Sequence, residues 1–344
     1  MAERYIALSE ETSGYGTNVT LNDRICYKIL NESINSTRED NFPETAETWS
    51  PGDYVQGPSR AGGDIATLVE PYQFPKLLAF HLGDPATTTV LSGVVYQHVF
   101  NYGGTESVSS SGLKSFTIFK GTGVEKDRQF DGGIITNLNV EARAREVVGA
   151  TITVIGNGKE TLVTASGANY VRYSGQRYLT FADATVMTVG SADRLITDPV
   201  IEAFTLELPR NYDADHYRLG TPYMADQSPS GVIVPTGTMD FGFKSQDEHE
   251  RFLGMVGATS TGPQSGHITV LTLKGDLIAS GYWNQITVSL PETYYTASEN
   301  AVTARDRIVN TVNYRGNYHS LSGHSAQITV QNKTSSYVAL TNGL

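Results

Sequence analysis

The chain has 344 residues, a length that favours two domains over one core. Its 34 glycines, 19 tyrosines and 18% charged residues are typical of a folded, mainly β protein with a neutral polar surface. The net charge of -11 excludes a groove that holds nucleic acid by neutralising phosphates with clustered Lys and Arg.

The single cysteine, Cys26, excludes a disulfide framework within the chain and a cysteine-based zinc site. The first five residues lack the basic region and apolar run of a signal peptide. No stretch of uncharged apolar residues is long enough to span a bilayer. We therefore expect the chain to fold in a cytoplasm, without a membrane segment.

The first half of the chain predicts a strand over 63–70 and then a short amphipathic helix over 71–83. Pro75 suits the first turn of this helix, and Gly83 suits its end. Three further strands are predicted downstream, over 115–121, 130–138 and 150–155.

The same order of elements returns in the second half. A strand is predicted over 237–244 and a helix over 245–257, with Ser245 or Asp247 as its cap. Gly63 falls on Gly237 and Gly83 on Gly257 without a gap. Strands predicted over 269–275, 282–290 and 307–314 match the three downstream strands of the first half, in that order. The sequence therefore predicts one β-rich unit that is present twice.

These matches set the predicted domain boundaries. We expect a first module over 1–160, an intermodule hairpin or insertion over 161–195, a second module over 196–315, and a C-terminal strand and arm over 316–344. Long polar loops are expected at 31–62 and 101–114, and residues 209–235 take the corresponding place in the second half.

Three short motifs carry residue types used in catalysis or ligand binding, and each has a simpler explanation. Gly121-Thr122-Gly123 lacks the rest of a phosphate-binding loop and suits a hairpin turn. Asp213-Ala214-Asp215-His216 lacks the later Gly and Glu of a calcium loop, which favours a solvated turn. Asp247-Glu248-His249-Glu250 lies in the first turn of a predicted helix, where carboxylates complement the helix dipole. We predict no catalytic, cofactor-binding or metal-binding residues and no cofactor.

Residues 7–17, which contain Glu11-Thr12 and Tyr15-Gly16, resemble the start of many phage tail tube proteins. The strand–helix unit, the hairpin near Gly121 and the strand over 134–140 resemble the core module of that family. The resemblance covers most of residues 5–155 and extends to 195–315. It implies a mainly β fold with minor helix: two tandem β-sandwich or barrel modules, each with one short helix, in a ring with a shared inner β-barrel.

The resemblance also implies a function. In that family six single-module subunits form each ring, and stacked rings make the conduit for viral DNA. Two modules in one chain then imply three chains per ring. The expected partners are further copies of the chain, the tape measure protein, and the tail terminator and distal tail proteins. DNA would pass through the lumen without specific binding, no membrane would be involved, and the virion tail would be assembled in the host cytoplasm.

Two alternatives remain open at this stage. Another virion or surface β module, such as a decoration protein or an adhesin, would share the composition, although it needs no duplication with a helix in each copy. A carbohydrate-active enzyme would use paired carboxylates that meet only in the fold, with Trp49 and Trp283 stacking on sugars. The absence of any enzyme motif favours a structural protein.

Overall fold

A computed structural model gives the architecture of the chain. It describes residues 5–17, 24–27, 29–42, 54–103, 114–122, 126–164, 170–172, 177–190, 201–213, 215–226, 230–242, 247–254, 262–301 and 308–337. Within these residues the fold is mainly β, as predicted, with two α-helices and one short 3-10 helix.

The strands of the first half are β1 (Tyr5–Glu10), β2 (Arg24–Tyr27), β3 (Ile29–Glu32), β4 (Asn35–Arg38), β5 (Ser59–Leu68), β6 (Ala86–Leu91), β7 (Val95–Tyr102), β8 (Phe116–Gly121), β9 (Lys126–Arg143), β10 (Gly149–Gly156) and β11 (Glu160–Thr164). Those that follow are β12 (Tyr170–Arg172), β13 (Ala184–Gly190), β14 (Ile201–Pro209), β15 (Thr236–Gly242), β16 (His267–Ala279), β17 (Tyr282–Ala301), β18 (Val309–Gly316) and β19 (Ala326–Asn332). The helices are α1 (Phe74–Leu82), α2 (Asp247–Phe252) and the 3-10 helix Phe181–Asp183.

The strands form two hydrogen-bonded sheets that share the long strand β9. The smaller sheet has the order β12, β2, β1, β8, β9, β11, in which only the β12–β2 pair is parallel. The larger sheet contains the run β4, β5, β10, β9, β14, β15, β18, β17, antiparallel throughout. The first part of β17 continues into a second run, β13, β16, β17, β19, β7, β6.

Two groups of strands in the long run have the same pairing. We call β3, β4, β5, β10 and residues 134–143 of β9 the first strand set, and β14, β15, β18 and residues 294–301 of β17 the second strand set. In the first set β5 pairs with β10 and β10 with β9. In the second set β15 pairs with β18 and β18 with β17. Each set also has a strand on the outer side of β5 or β15, contributed by β3 and β4 or by β14.

The two sets share an irregularity at a threonine. The β9–β10 ladder shifts register at Thr136, and the β17–β18 ladder shifts at Thr296. The Thr136 hydroxyl donates to the Thr153 carbonyl at 3.2 Å, and the Thr296 hydroxyl donates to the Asn313 carbonyl at 3.3 Å. A bulge of this kind bends the strand and increases its twist.

The glycines matched in the sequence also occupy equivalent places. A Cβ on Gly63 would lie 2.6 Å from the carbonyl oxygen of Ser33, and one on Gly237 would lie 2.0 Å from that of Thr205. The next backbone N–H in each strand, that of Asp64 or Thr238, donates to the hydroxyl of Ser33 or Thr205 at 2.8 Å. Glycine is needed at both positions because the neighbouring strand approaches too closely for a side chain.

Burial on one face explains why these segments form strands. In β10, alternate residues from Ala150 to Gly156 are buried while their neighbours are half-buried, which is the period-two pattern of a sheet with one covered face. Helix α1 packs on β9 and β7, and α2 packs on β17. Both helices lie where the sequence predicts them. Pro75 stands in the first turn of α1, and Gly83 ends that helix with φ of +87°.

Some predictions were wrong in detail. The first half has two strands, β6 and β7, between α1 and β8 that the predicted order omits. The expected loop 31–62 contains β4 and the start of β5, whereas most of 101–114 and the predicted stop Gly257 lie outside the described residues. Helix α2 ends earlier, before Gly254, which has φ of +65°. By their pairing with β10 and β18, residues 134–141 of β9 correspond to residues 294–301 of β17. The sequence alignment of 130–138 with 282–290 was therefore out of register.

Candidate assembly surface

One face of the long run is polar across both strand sets. Thr153 donates to Asp64 at 2.7 Å, and Thr311 donates to Asp240 at 2.8 Å. Thr205 and Thr238 share a hydrogen bond of 2.7 Å where β14 meets β15. Their strand neighbours on the other face are buried in the core, so this face is the one that the fold leaves for solvent or a partner.

The charges on this polar face are mostly acidic. Its carboxylates are Asp64, Glu141, Glu207, Asp240 and Glu299. Arg143 pairs with Glu141, and this bond raises the pKa of the guanidinium group. The basic side chains Arg60, Arg143 and Arg315 on this face are fewer than its carboxylates, so the face as a whole repels a polyanion.

The two strand sets meet through β9 and β14, a contact that we call the internal junction. The register sets Thr205 opposite Glu141, Leu206 opposite Val140 and Pro209 opposite Asn137. The sheet therefore continues from the first set into the second without a break.

A buried histidine spans the internal junction from α1. The ring nitrogens of His81 lie 3.2 Å from the carbonyl oxygen of Ile135 on β9 and 2.9 Å from that of Leu208 on β14. The guanidinium of Arg210 binds the carbonyl oxygen of His81, and the hydroxyl of Tyr102 binds that of Pro209. Burial and, to a smaller extent, the nearby charge of Arg210 lower the pKa of His81 to about 3, so the ring is neutral at physiological pH.

The long run ends at two open edges. Among the described residues no strand pairs with the outer side of residues 33–37, which we call the β4 edge, or of residues 297–301, which we call the β17 edge. Side chains bind some of the outward backbone groups. Ile34 donates its N–H to Glu32 at 2.9 Å and accepts from Lys120 at 3.0 Å. Tyr295, next to the β17 edge, exchanges two hydrogen bonds with the amide of Gln264.

The N-terminal turn is held by one buried carboxylate. Glu11 accepts hydrogen bonds from the backbone N–H groups of Gly16 and Gly132, both at 2.8 Å, and from the hydroxyls of Ser115 and Thr117. Burial raises the pKa of Glu11, although these four donors counteract that shift. The turn 12–17 is therefore fixed to β8 and β9.

The motifs first considered for chemistry lie apart in the structure. Gly121 ends β8 opposite Tyr5. Asp215 pairs with Arg60 at 2.7 Å and is 70% exposed at its side chain, and His216 contacts Asp226. Glu248 of α2 points inward and accepts from the buried Tyr295 hydroxyl at 2.5 Å. Within the part of the chain that the structure describes, no three His, Cys, Asp or Glu side chains are grouped to hold a metal ion.

A family model described as phage tail tube protein matches residues 1–316. The chain belongs to this family. Tail tube proteins are structural components of the virion tail that associate with themselves into a tube. No curated protein sequence matches the chain.

The tail tube assignment agrees with the sequence resemblance, since the matched residues 1–316 include the segment 7–17. The internal junction had no signal in the sequence. Only His81, a histidine in a predicted amphipathic helix, could have drawn attention to it. None of the described helices is long and apolar enough to cross a membrane.

Proposed function

We propose that the chain polymerises as stacked rings into the hollow tube through which the viral genome is ejected. Each chain carries two tube modules, and three chains complete a ring. The observation that carries this proposal is the internal junction, at which two strand sets of identical pairing already form one continuous sheet.

Several features support two modules. The shared register shift at Thr136 and Thr296 and the shared close approach at Gly63 and Gly237 are difficult to obtain from unrelated sheets. The correspondence extends beyond the long run. β1 and β11 flank the β8–β9 pair, as β13 and β19 flank the β16–β17 pair. We therefore assign β13 and β19 to the second module.

The polar face supports a role as the wall of a conduit. A duplex must move past this wall without binding, and the carboxylates and hydroxyls of this face suit that task because they repel phosphates. The tape measure protein, the tail terminator and the distal tail proteins are the further partners of such a tube. A decoration protein or an adhesin has no need of a sheet that is open at both edges, since open edges promote association.

The end of the molecule at residues 209–235 supports axial stacking. Leu219 is fully exposed and Val232 is 80% exposed in this segment, and Leu321 is 91% exposed in the turn after β18. Exposed apolar side chains on loops at one end of the sheets are suited to a contact with the next ring.

Electron microscopy of the purified chain tests the proposal. We expect hollow filaments whose rings have threefold symmetry and, at lower resolution, six similar lobes. Native mass spectrometry of the shortest assemblies should show multiples of three chains of 37.3 kDa. Rings of six chains would contradict the two-module ring, and solid or amorphous assemblies would contradict the tube.

A further inference from the structure

We propose that the two open edges are each other's partners in neighbouring copies. The β4 edge of one chain pairs antiparallel with the β17 edge of the next chain, in a register fixed by the internal junction. This inference rests on the proposed self-assembly and adds to it the contacting residues.

The internal junction supplies the template because its two strands have counterparts at the edges. Residues 33–37 lie beside β5 as residues 205–209 lie beside β15: Asn35 is opposite Gly62, and Glu207 is opposite Thr236. The irregularity that precedes each segment is also shared, between Ile29 and Asn31 in one case and between Ile201 and Ala203 in the other.

The other side of the junction matches in the same way. Leu138 of β9 is opposite Ile152 of β10, and Ser298 of β17 is opposite Val312 of β18. These two pairs occupy the same place relative to the shared bulge, so residues 297–301 correspond to residues 137–141.

Transferring the junction register gives the contact between copies. Inside the chain, Glu207 is opposite Asn139, and Leu206 is opposite Val140. The corresponding residues place Asn35 of one chain opposite Glu299 of the next, and Ile34 opposite Asn300. Ser36 then lies opposite Ser298.

The backbone at the β4 edge is oriented for this contact. Ser33 donates its N–H to the carbonyl of Asp64 at 2.9 Å, so the backbone groups of Ser33 face β5. Because successive residues of a strand alternate, the N–H and C=O of Ile34 face away from β5. In the single chain these groups are bound by Glu32 and Lys120, which also pair with each other at 2.8 Å. Glu32 and Lys120 thus satisfy the backbone groups that a neighbouring strand would bind. On assembly, the backbone of Asn300 from a neighbouring chain would replace these two side chains.

The two edges are different surfaces, so the contact is head-to-tail. Such a contact either closes into a ring or continues as an open filament. Repeating it around a ring leaves no unpaired edge in the long run, which is the condition that stabilises a closed barrel.

Cysteine cross-linking tests the register. In a Cys26→Ser background, Asn35→Cys and Glu299→Cys would form a non-hydrogen-bonded pair with Cα atoms about 4.5 Å apart, within the range of a disulfide. We expect oxidation of assembled tubes to give covalent dimers and trimers on a non-reducing denaturing gel, with trimers as the largest species. The matched control is Asn35→Cys with Ala297→Cys, a diagonal pair about 7–8 Å apart that should cross-link poorly.

The outcomes separate this inference from the proposed function. If tubes form and the Asn35–Glu299 pair stays unlinked, or links no better than the control, the register is overturned and the tube function stands. If the Cys26→Ser parent forms no tubes, the proposed function itself fails.

A second variant covers the case in which the cysteine variants do not assemble. In this register the backbone N–H of Asn300 points away from β18, so Asn300→Pro removes a bond to the neighbour and spares the ladder within the chain. We expect a folded monomer with the thermal stability of the parent and no tubes. Tubes of normal length from this variant would overturn the pairing.

Discussion

The two helices lie beside equivalent parts of the sheet, yet they differ greatly in burial. Almost every residue of α1, from Phe74 to His81, is buried, and this helix covers the internal junction. Helix α2 is shorter, and only Glu248 is buried among its described side chains. It lies beside the β17 edge, where His249 contacts Ser298 at 3.2 Å. A helix over a closed contact is enclosed on all sides, whereas a helix beside an open edge keeps part of its surface for a partner.

The largest expected loss of stability follows from substitution of His81, and it tests the difference in burial between the two helices. Because the neutral ring carries one N–H, His81→Leu leaves one of the two carbonyl oxygens, that of Ile135 or that of Leu208, without its donor at a buried site. We expect the free energy of unfolding of the monomer to fall by about 2–4 kcal/mol, measured by urea denaturation. The control His249→Leu, in the half-buried α2, should cost less than about 1 kcal/mol. Equal losses would contradict the difference in burial.

Adding a Cβ atom at the matched glycines tests whether the two strand sets are equivalent. Gly63→Ala and Gly237→Ala each force a Cβ against a carbonyl oxygen of the adjoining strand. We expect each to lower the free energy of unfolding by about 1–3 kcal/mol. Gly149→Ala is the control, since a Cβ there meets no atom within 4 Å. A neutral result at either Gly63 or Gly237 would break the equivalence.

The pH dependence of stability provides a finer test of the internal junction. The pKa of His81 falls from 6.5 to about 3 on folding, so the unfolded chain binds the proton more readily. Stability from this group is fully present above pH 6.5 and is lost as pH falls toward 3. The parent should therefore lose its advantage over His81→Leu in free energy of unfolding by about 1.4 kcal/mol per pH unit below 6.5. His267, whose pKa is also lowered to about 3, is present in both proteins and cancels. An advantage that is constant from pH 7 to 5 would show that His81 titrates normally.

The smallest expected effect concerns the shared bulge. Thr136→Val and Thr296→Val each remove one hydroxyl that binds a carbonyl across the bulge. We expect losses of about 0.5–1.5 kcal/mol at Thr136 and less at the exposed Thr296, measured by thermal unfolding. Stabilisation by either change would show that the hydroxyl does not support the bulge.

Much of the fold could be predicted because a strand buried on one face has alternating apolar and polar residues in its sequence. The alternation of Met239 and Phe241 with polar neighbours identified β15, and Pro75 and Gly83 bounded α1. Strands without a buried face have no such alternation. Every residue of β6 is exposed, and β4 is the polar run Asn-Ser-Thr-Arg, so neither strand was predicted.

The assembly surface could not be predicted for a different reason. Pairing partners depend on contacts between residues far apart in the chain, such as Leu206 with Val140, and no local pattern encodes them. The register of β9 against β17 was misjudged because both are long strands with several apolar runs, which allow more than one match. The shift shared by Thr136 and Thr296 fixes that register, and it is visible only in the hydrogen bonds.

The position of β19 has a consequence for synthesis. This strand inserts between β17 and β7 and pairs Ile328 with Phe100 and Ala326 with Tyr102. At ribosomal rates of about 5–20 residues per second, β7 waits on the order of ten seconds or more for the partner that completes its pairing. During this interval the nascent chain presents one apolar side of β7, and a chaperone that binds such segments would find its substrate there. Strand β7 therefore completes its pairing only after β19 has left the ribosome, which delays association through this sheet until that point.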